Sequence, residues 1–239
     1  MDIAKVKSRV KENRFMNFGA ELILELFVTM RYFVKGSFSQ FGEDAYVSQL
    51  FERGGGKKSD VKYVDIGANH YRRSNNTYLF YKSGARGICV EADSFLCKKL
   101  KRGRKHDRVI NCAVGVEDGK EVEFYVLSLS TRSSMDREVV KNLVSQGLKV
   151  KKTIKLPCIS INSLLEQNQF TPDYLSIDIE GMDYLVLRSV DFNKYRIKVI
   201  VAERTEEIIE NETMDEYMER NGYLVYKKTR ANVIYNRRN

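Results

Sequence analysis

Residues 173–179 read DYLSIDI and run on into Glu180 and Gly181. The stretch is short and nearly continuous in apolar residues, the pattern of a strand covered on both faces in a parallel sheet. Its end carries Asp178 and Glu180, although acids are poor strand formers and an unpaired charge is costly to bury. Four more stretches share the pattern: KYVDI (62–66), RGICVEA (86–92), RVINCAVG (108–115) and IKVIVAE (197–203). Helix-like stretches lie between them, such as SFLCKKLKRG (94–103), where Phe95, Leu96 and Leu100 share a face. This alternation predicts an α/β fold with an open, doubly wound sheet. EVEFYVL (121–127) and TIKLPCISI (153–161) read as extra strands, residues 130–150 as a loop and short helix, and YLVYKK with NVIYNR as a terminal hairpin. Ligands of such sheets bind beyond the carboxyl ends of the strands, so the strand ends are the positions to read for function.

The 239 residues suit one large α/β domain, and 43% hydrophobic residues supply its core. Lys and Arg number 41 against 32 acids, a net charge of +9 that suggests an anionic partner: nucleic acid, a membrane surface or an acidic substrate. Four cysteines without CxxC spacing and only two histidines, His70 and His106, argue against a zinc site and fit free thiols in a reducing cytosol. His106 and its neighbours Lys101, Arg102, Arg104 and Lys105 read as a solvated helix end.

At the N-terminus, Lys5, Lys7, Arg9, Lys11 and Arg14 precede an apolar run over 15–34. Glu21 and Glu25 interrupt that run, which argues against a transmembrane span. Asn17, Glu21 and Glu25 recur every four residues as one polar stripe of a helix. The helix is expected to pack on the domain or on a second subunit; an interfacial membrane helix is the alternative. The chain thus divides into a basic, amphipathic helical segment, 1–36, and a domain over 37–239. The expected location is the cytoplasm, with peripheral membrane contact through that helix as a variant.

The first strand ends in Asp65-Ile66-Gly67-Ala68-Asn69. One glycine does not make the GxGxxG that cradles a pyrophosphate, and no P-loop is present. An acid before a single-glycine turn suits a ligand with an amino group and no phosphate, such as S-adenosylmethionine; an ordinary strand-to-helix turn is the rival reading. Glu91 ends the second strand, where an acid can accept both ribose hydroxyls.

With these pieces in order, the sequence resembles the FkbM-type S-adenosylmethionine-dependent methyltransferases. The likeness runs over 39–204, through SQFGED, YVDIGANHYRRSNNTYLFY, GICVEAD, NCAVG, CISINSLL, PDYLSIDIEGMDYLVLRSVDF and the strand ending in Glu203. It implies a Rossmann-like class I methyltransferase: a central, mostly parallel seven-stranded sheet with helices on both faces and the last hairpin reversed. It places Asp65, Gly67, Ala68 and Asn69 against the methionine part of the cofactor, Glu91 with Ala92 beside it at the ribose, and Ala113 near the adenine. Gln40 and Asp44 would close the pocket, and Asn76 and Thr77 would add contacts. The chain departs from the family by one extra Asn in the Asn75-Asn76-Thr77 run, by His70 in place of an acid, and by Asn162 in place of Asp.

Asp178 then lies beside the expected methyl group, as a cofactor contact and as the first candidate for the base that deprotonates an alcohol nucleophile. His70 and Glu203 rank after it as catalytic candidates. Asp178, Glu180 and Glu203 also make an oxygen ligand set for a divalent cation such as Mg²⁺, Ca²⁺ or Mn²⁺. Helix capping is the bland role for Glu180, and a helix-start charge that for Asp183. Ser133 and Ser134 are read either as acceptor-pocket lining or as a polar loop, and Tyr71, Arg72 and Arg73 either as an anion site or as a solvated cluster. The expected reaction is O-methylation of a small-molecule or glycan hydroxyl. A nucleic-acid methyltransferase, for which no RNA-binding signature is found, and a noncatalytic binding protein are the alternatives.

Overall fold

The computed structural model describes residues 36–238. The helix expected over 15–34 therefore lies outside the described residues. Strands β1 (Lys62–Ile66), β2 (Arg86–Val90), β3 (Arg108–Ile110), β7 (Tyr174–Ile177), β8 (Val199–Glu203), β11 (Tyr223–Lys228) and β12 (Asn232–Arg237) form one sheet in the order β11-β12-β8-β7-β1-β2-β3. All pairs from β3 to β8 are parallel. β12 is antiparallel to both β8 and β11, so β12 alone runs against the others. A second sheet joins β4 (Ala113–Gly115), β6 (Val150–Ser160) and β5 (Glu121–Leu127), and β9 (Ile208–Ile209) pairs with β10 (Glu212–Thr213). No helix among the described residues is long and apolar enough to cross a membrane.

Alternation along the strands builds the two core layers. Val64, Ile66, Ile88, Val90, Leu175, Ile177, Ile200 and Ala202 face one cluster. Tyr63, Cys89, Tyr174, Val199 and Val201 face the other. All four cysteines are free and buried.

Three expectations change. RVINCAVG is not one strand. It breaks at Asn111, whose Nδ2 donates to the Glu91 and Ala92 carbonyls, and it serves both sheets as β3 and β4. Asp93 caps the helix over Ser94–Gly103 by accepting from the Phe95 N–H at 2.8 Å. That helix, α3 after α1 (Glu43–Arg53) and α2 (Tyr78–Lys82), buries Cys97 and Leu100 but leaves Phe95 59% exposed. Arg104, expected in solvent, is fully buried.

Candidate active site

Register brings the candidate residues into one row. Ile66 pairs with Val90 and with Ile177, and Ile177 pairs with Ala202. The next residue on each strand is Gly67, Glu91, Asp178 and Glu203. These four therefore stand side by side at the carboxyl edge of four adjacent parallel strands. Gly67 is required twice over. Its φ is +78°, and a Cβ there would lie 1.8 Å from the Asp178 carbonyl oxygen. Gly67→Ala should therefore cost about 2–4 kcal/mol in denaturant unfolding, from overpacking together with left-handed strain.

Glu91 is buried. Its Oε2 accepts from the Asn69 N–H and its Oε1 from the Asp93 N–H, each at 2.8 Å. Asn69 takes a left-handed φ of 49°, which aims its N–H at that carboxylate. Burial pushes the Glu91 carboxyl up to about 7, against the two hydrogen bonds, which lower it. A proton kept by the folded chain and lost by the unfolded one stabilises at low pH, and that contribution disappears as pH rises from 4.5 through about 7. The melting temperature of wild type should fall more steeply across this window than that of Glu91→Gln.

At the other end of the row, one ligand oxygen from each of Asp178, Glu180 and Glu203 lies within 4.8 Å of the others. The fourth carboxylate, Asp183, opens α6 (Asp183–Ser189), the helix that follows α5 (Ile161–Gln167), and is buried. Its two oxygens accept from the Ile179 and Glu203 N–H groups, each at 3.3 Å, so it ties the loop after β7 to the end of β8. Burial first, and the neighbouring carboxylates second, hold Asp178 well above the usual range, Glu180 at about 7 and Asp183 at about 8. Arg132 pairs with two of these acids, 2.9 Å from Glu180 Oε2 and 3.7 Å from Glu203 Oε1. Among the described residues, no donor bonds to the Asp178 carboxylate.

The loop carrying these acids is strained and then fastened. Glu180 has φ 52° and Gly181 φ +104°. Ser134 Oγ donates to the Glu180 carbonyl at 2.7 Å. Val139, on α4 (Arg137–Ser145), fills the space where a Cβ on Gly181 would sit, 2.6 Å away. A cavity of about 230 Å³ opens here, lined by Val139, Glu180, Asp183, Tyr184, Glu203 and Thr205. Glu180 does not cap the next helix, because the residue before α6 is Met182. Ser133 accepts from the Leu127 N–H, a bond that ties its loop to the end of β5.

Several expected contact residues are occupied by the protein itself. Asp65 Oδ2 accepts from Thr77 Oγ1 at 2.7 Å and from Asn75 Nδ2 at 3.0 Å. Arg104 donates to both of those partners, so Asp65 and Thr77 belong to a buried network that shapes the Gly67 loop. Asn76, in the loop before α2, donates to Ser176 Oγ on β7. The extra Asn explains the departure in this run: Asn75 serves the network and Asn76 the sheet. Asp44 is enclosed by Ser37, Ser39 and the Phe38 N–H, and Gln40 is exposed. His70 Nδ1 accepts from the Arg72 and Arg73 N–H groups at 3.0 and 2.9 Å. Burial and the cations Arg73, Lys99 and Arg72 lower its pKa. A neutral ring whose Nδ1 is an acceptor carries its proton on Nε2, which leaves no lone pair for a base. Ala68 and Ala113 are buried, and half-buried Ala92 packs on the Ala113 cluster. Sequence reasoning missed Asn75, Arg104, Arg132, Ser134 and Asp183 as organising residues. Their signal is long-range pairing, which no local motif displays.

The row fits S-adenosylmethionine on two observations: the bare Gly67 backbone, and a buried Glu91 whose charge has no cation partner among the described residues. The three acids also fit a hard divalent cation by their oxygen chemistry and mutual distance.

The family model described as a methyltransferase FkbM domain matches residues 65–225. No curated protein matches the chain significantly. Among solved structures, a TehB-like S-adenosylmethionine-dependent methyltransferase from Corynebacterium glutamicum shares 10% identity over 87% of this chain and 94% of that chain, with a TM-score of 0.44. An O-methyltransferase from Bacillus cereus in complex with S-adenosylhomocysteine shares 12% over 81% and 78%, at 0.38. A precorrin-6y C5,15-methyltransferase from Geobacter metallireducens shares 14% over 82% and 87%, at 0.36.

Proposed function

This chain belongs to the FkbM methyltransferase family, and on that premise we propose that it methylates a hydroxyl of a small molecule or glycan. S-adenosylmethionine supplies the electrophilic methyl group when bound. Gly67, Ala68 and Asn69 let the backbone approach the methionine part, and Glu91 accepts the ribose hydroxyls. Ala92 and Ala113 line the adenine side.

Asp178 takes the proton of the acceptor hydroxyl. The observation that carries this assignment is its carboxylate in the register row beside Gly67, with no hydrogen-bond donor on it among the described residues. Burial and the acidic neighbours Glu180, Asp183, Glu203 and Asp65 raise its basicity, and a base works best when its pKa approaches the working pH. Glu180 and Glu203 are held by Arg132 instead. Asp183 positions both loops.

The proximity of Asp178, Glu180 and Glu203 favours a second reading, in which they hold a divalent cation that orients the acceptor oxygen. Methyl transfer from labelled S-adenosylmethionine to a panel of sugar and phenolic hydroxyls, with and without chelator, tests both. Chelator-resistant transfer supports the base alone. Activity lost in chelator and restored by Mg²⁺ or Mn²⁺ supports the cation. Labelling of amines or nucleic acid in place of hydroxyls contradicts the proposal.

A further inference from the structure

The positive charge of the chain is concentrated. Residues 98–108 carry Lys98, Lys99, Lys101, Arg102, Arg104, Lys105 and Arg108 against one acid, Asp107. Arg104 and Asp107 pair with each other in the interior. The six remaining cations are exposed on α3, the turn after it and the start of β3. Among the described residues, none of the six forms an ion pair. Elsewhere several exposed cations are paired, Lys58 with Glu52, Arg137 with Glu123, Lys155 with Glu121 and Lys194 with Glu166, and those with no ion pair among the described residues, such as Lys151 and Arg196, are scattered in the sequence. Arg73 extends the same face, because the loop carrying it docks on α3 through Tyr71, whose carbonyl accepts from Arg104 Nε and whose ring lies against Gly103.

An apolar element stands within this charge. Phe95 is 59% exposed, and Lys99 Nζ lies 4.2 Å from the centre of its ring. Phe95, Lys99 and Arg102 are spaced i, i+4, i+7, so they form one outward stripe. Phe95 opens α3 directly after the β2 end that carries Glu91, and it therefore sits at the edge of the sheet where the site lies.

We infer that the exposed face of α3 docks on an anionic lipid bilayer, with the lysines and arginines on headgroup phosphates and carboxylates and Phe95 at the acyl boundary. The charge is complementary to such a surface. The face is a convex helix with one protruding ring, which suits a plane. A nucleic acid strand would call for a groove with successive stacking platforms.

The test is co-sedimentation of the full chain with phosphatidylcholine vesicles, with and without phosphatidylserine. It compares wild type, Lys98→Glu/Lys99→Glu/Arg102→Glu and Phe95→Ser. These side chains are exposed and lie outside the cofactor row, and equal melting temperatures verify folding. Residues 1–35 stay intact throughout, so differences report on α3. Wild type should bind the phosphatidylserine vesicles and release with salt. The triple variant should lose at least about 100-fold in partitioning, since each basic residue near such a surface contributes about five-fold. Phe95→Ser should bind more weakly than wild type at every salt concentration. Equal partitioning of the triple variant and wild type overturns the inference. So does wild type that ignores acidic vesicles but binds a single-stranded RNA oligonucleotide through the same lysines.

Discussion

Asp178→Asn is expected to lower turnover about 10²–10⁴-fold, the usual range for loss of a general base, while S-adenosylmethionine affinity changes little. Asparagine keeps the shape of the side chain and removes its basicity. It also relieves repulsion, since burial and the acids Glu180, Asp183 and Glu203 all disfavour the ionised form of Asp178. Melting temperature should therefore hold or rise as turnover collapses. That opposition separates catalysis from structure: a buried structural acid, once replaced, would lower stability with no selective loss of turnover. A parallel fall in cofactor affinity would make Asp178 a cofactor contact instead. Full activity at normal stability would remove it from the reaction and leave Glu203 as the next carboxylate.

Arg104→Met is expected to cost about 3–5 kcal/mol in denaturant unfolding, the range for breaking a buried ion pair on one side. Arg104 has no exposed surface and donates to five partners: the Tyr71 carbonyl, Tyr63 Oη, Asp107, Asn75 and Thr77. Its removal leaves Asp107 buried without a cation and takes the second bond from the two residues that hold Asp65. Arg104→Lys should recover only part of the loss, since one ammonium cannot span the guanidinium fork. Cofactor affinity should also fall, because the Asp65 network sets the Gly67 loop. Wild-type stability in Arg104→Met would show that the network is dispensable.

These two residues mark what the sequence discloses. Asp178 stands out in the sequence because a carboxylate at the end of an apolar strand conflicts with strand propensity and burial at once, and the register sets it in the row with Gly67, Glu91 and Glu203. The strands of the parallel sheet, Glu91 and the clustering of Glu180 and Glu203 were legible for the same reason. Arg104 was not. It sits in KRGRKHDR, among the solvated cations Lys101, Arg102, Lys105 and Arg108, and only the tertiary fold turns it inward onto Tyr63 and Asp107. Arg132 and Ser134 were equally hidden, since their partner Glu180 lies nearly fifty residues away. Phe95 shows the converse error: the reading that groups it with Leu100 overlooks that five residues turn a helix by about 140°, which sets Phe95 on the outward stripe with Lys99 while Cys97 and Leu100 face the core.

The central claim is that Gly67 and Glu91, in the row that also carries Asp178 and Glu203, hold S-adenosylmethionine. Calorimetric titration of the cofactor into wild type and Glu91→Ala tests it most directly. Wild type should bind. The variant should bind at least about ten-fold more weakly, because a charge-assisted hydrogen bond to the ribose contributes about 1.5–3 kcal/mol. Folded wild type that takes up no cofactor, or equal affinities for the two proteins, would contradict the account.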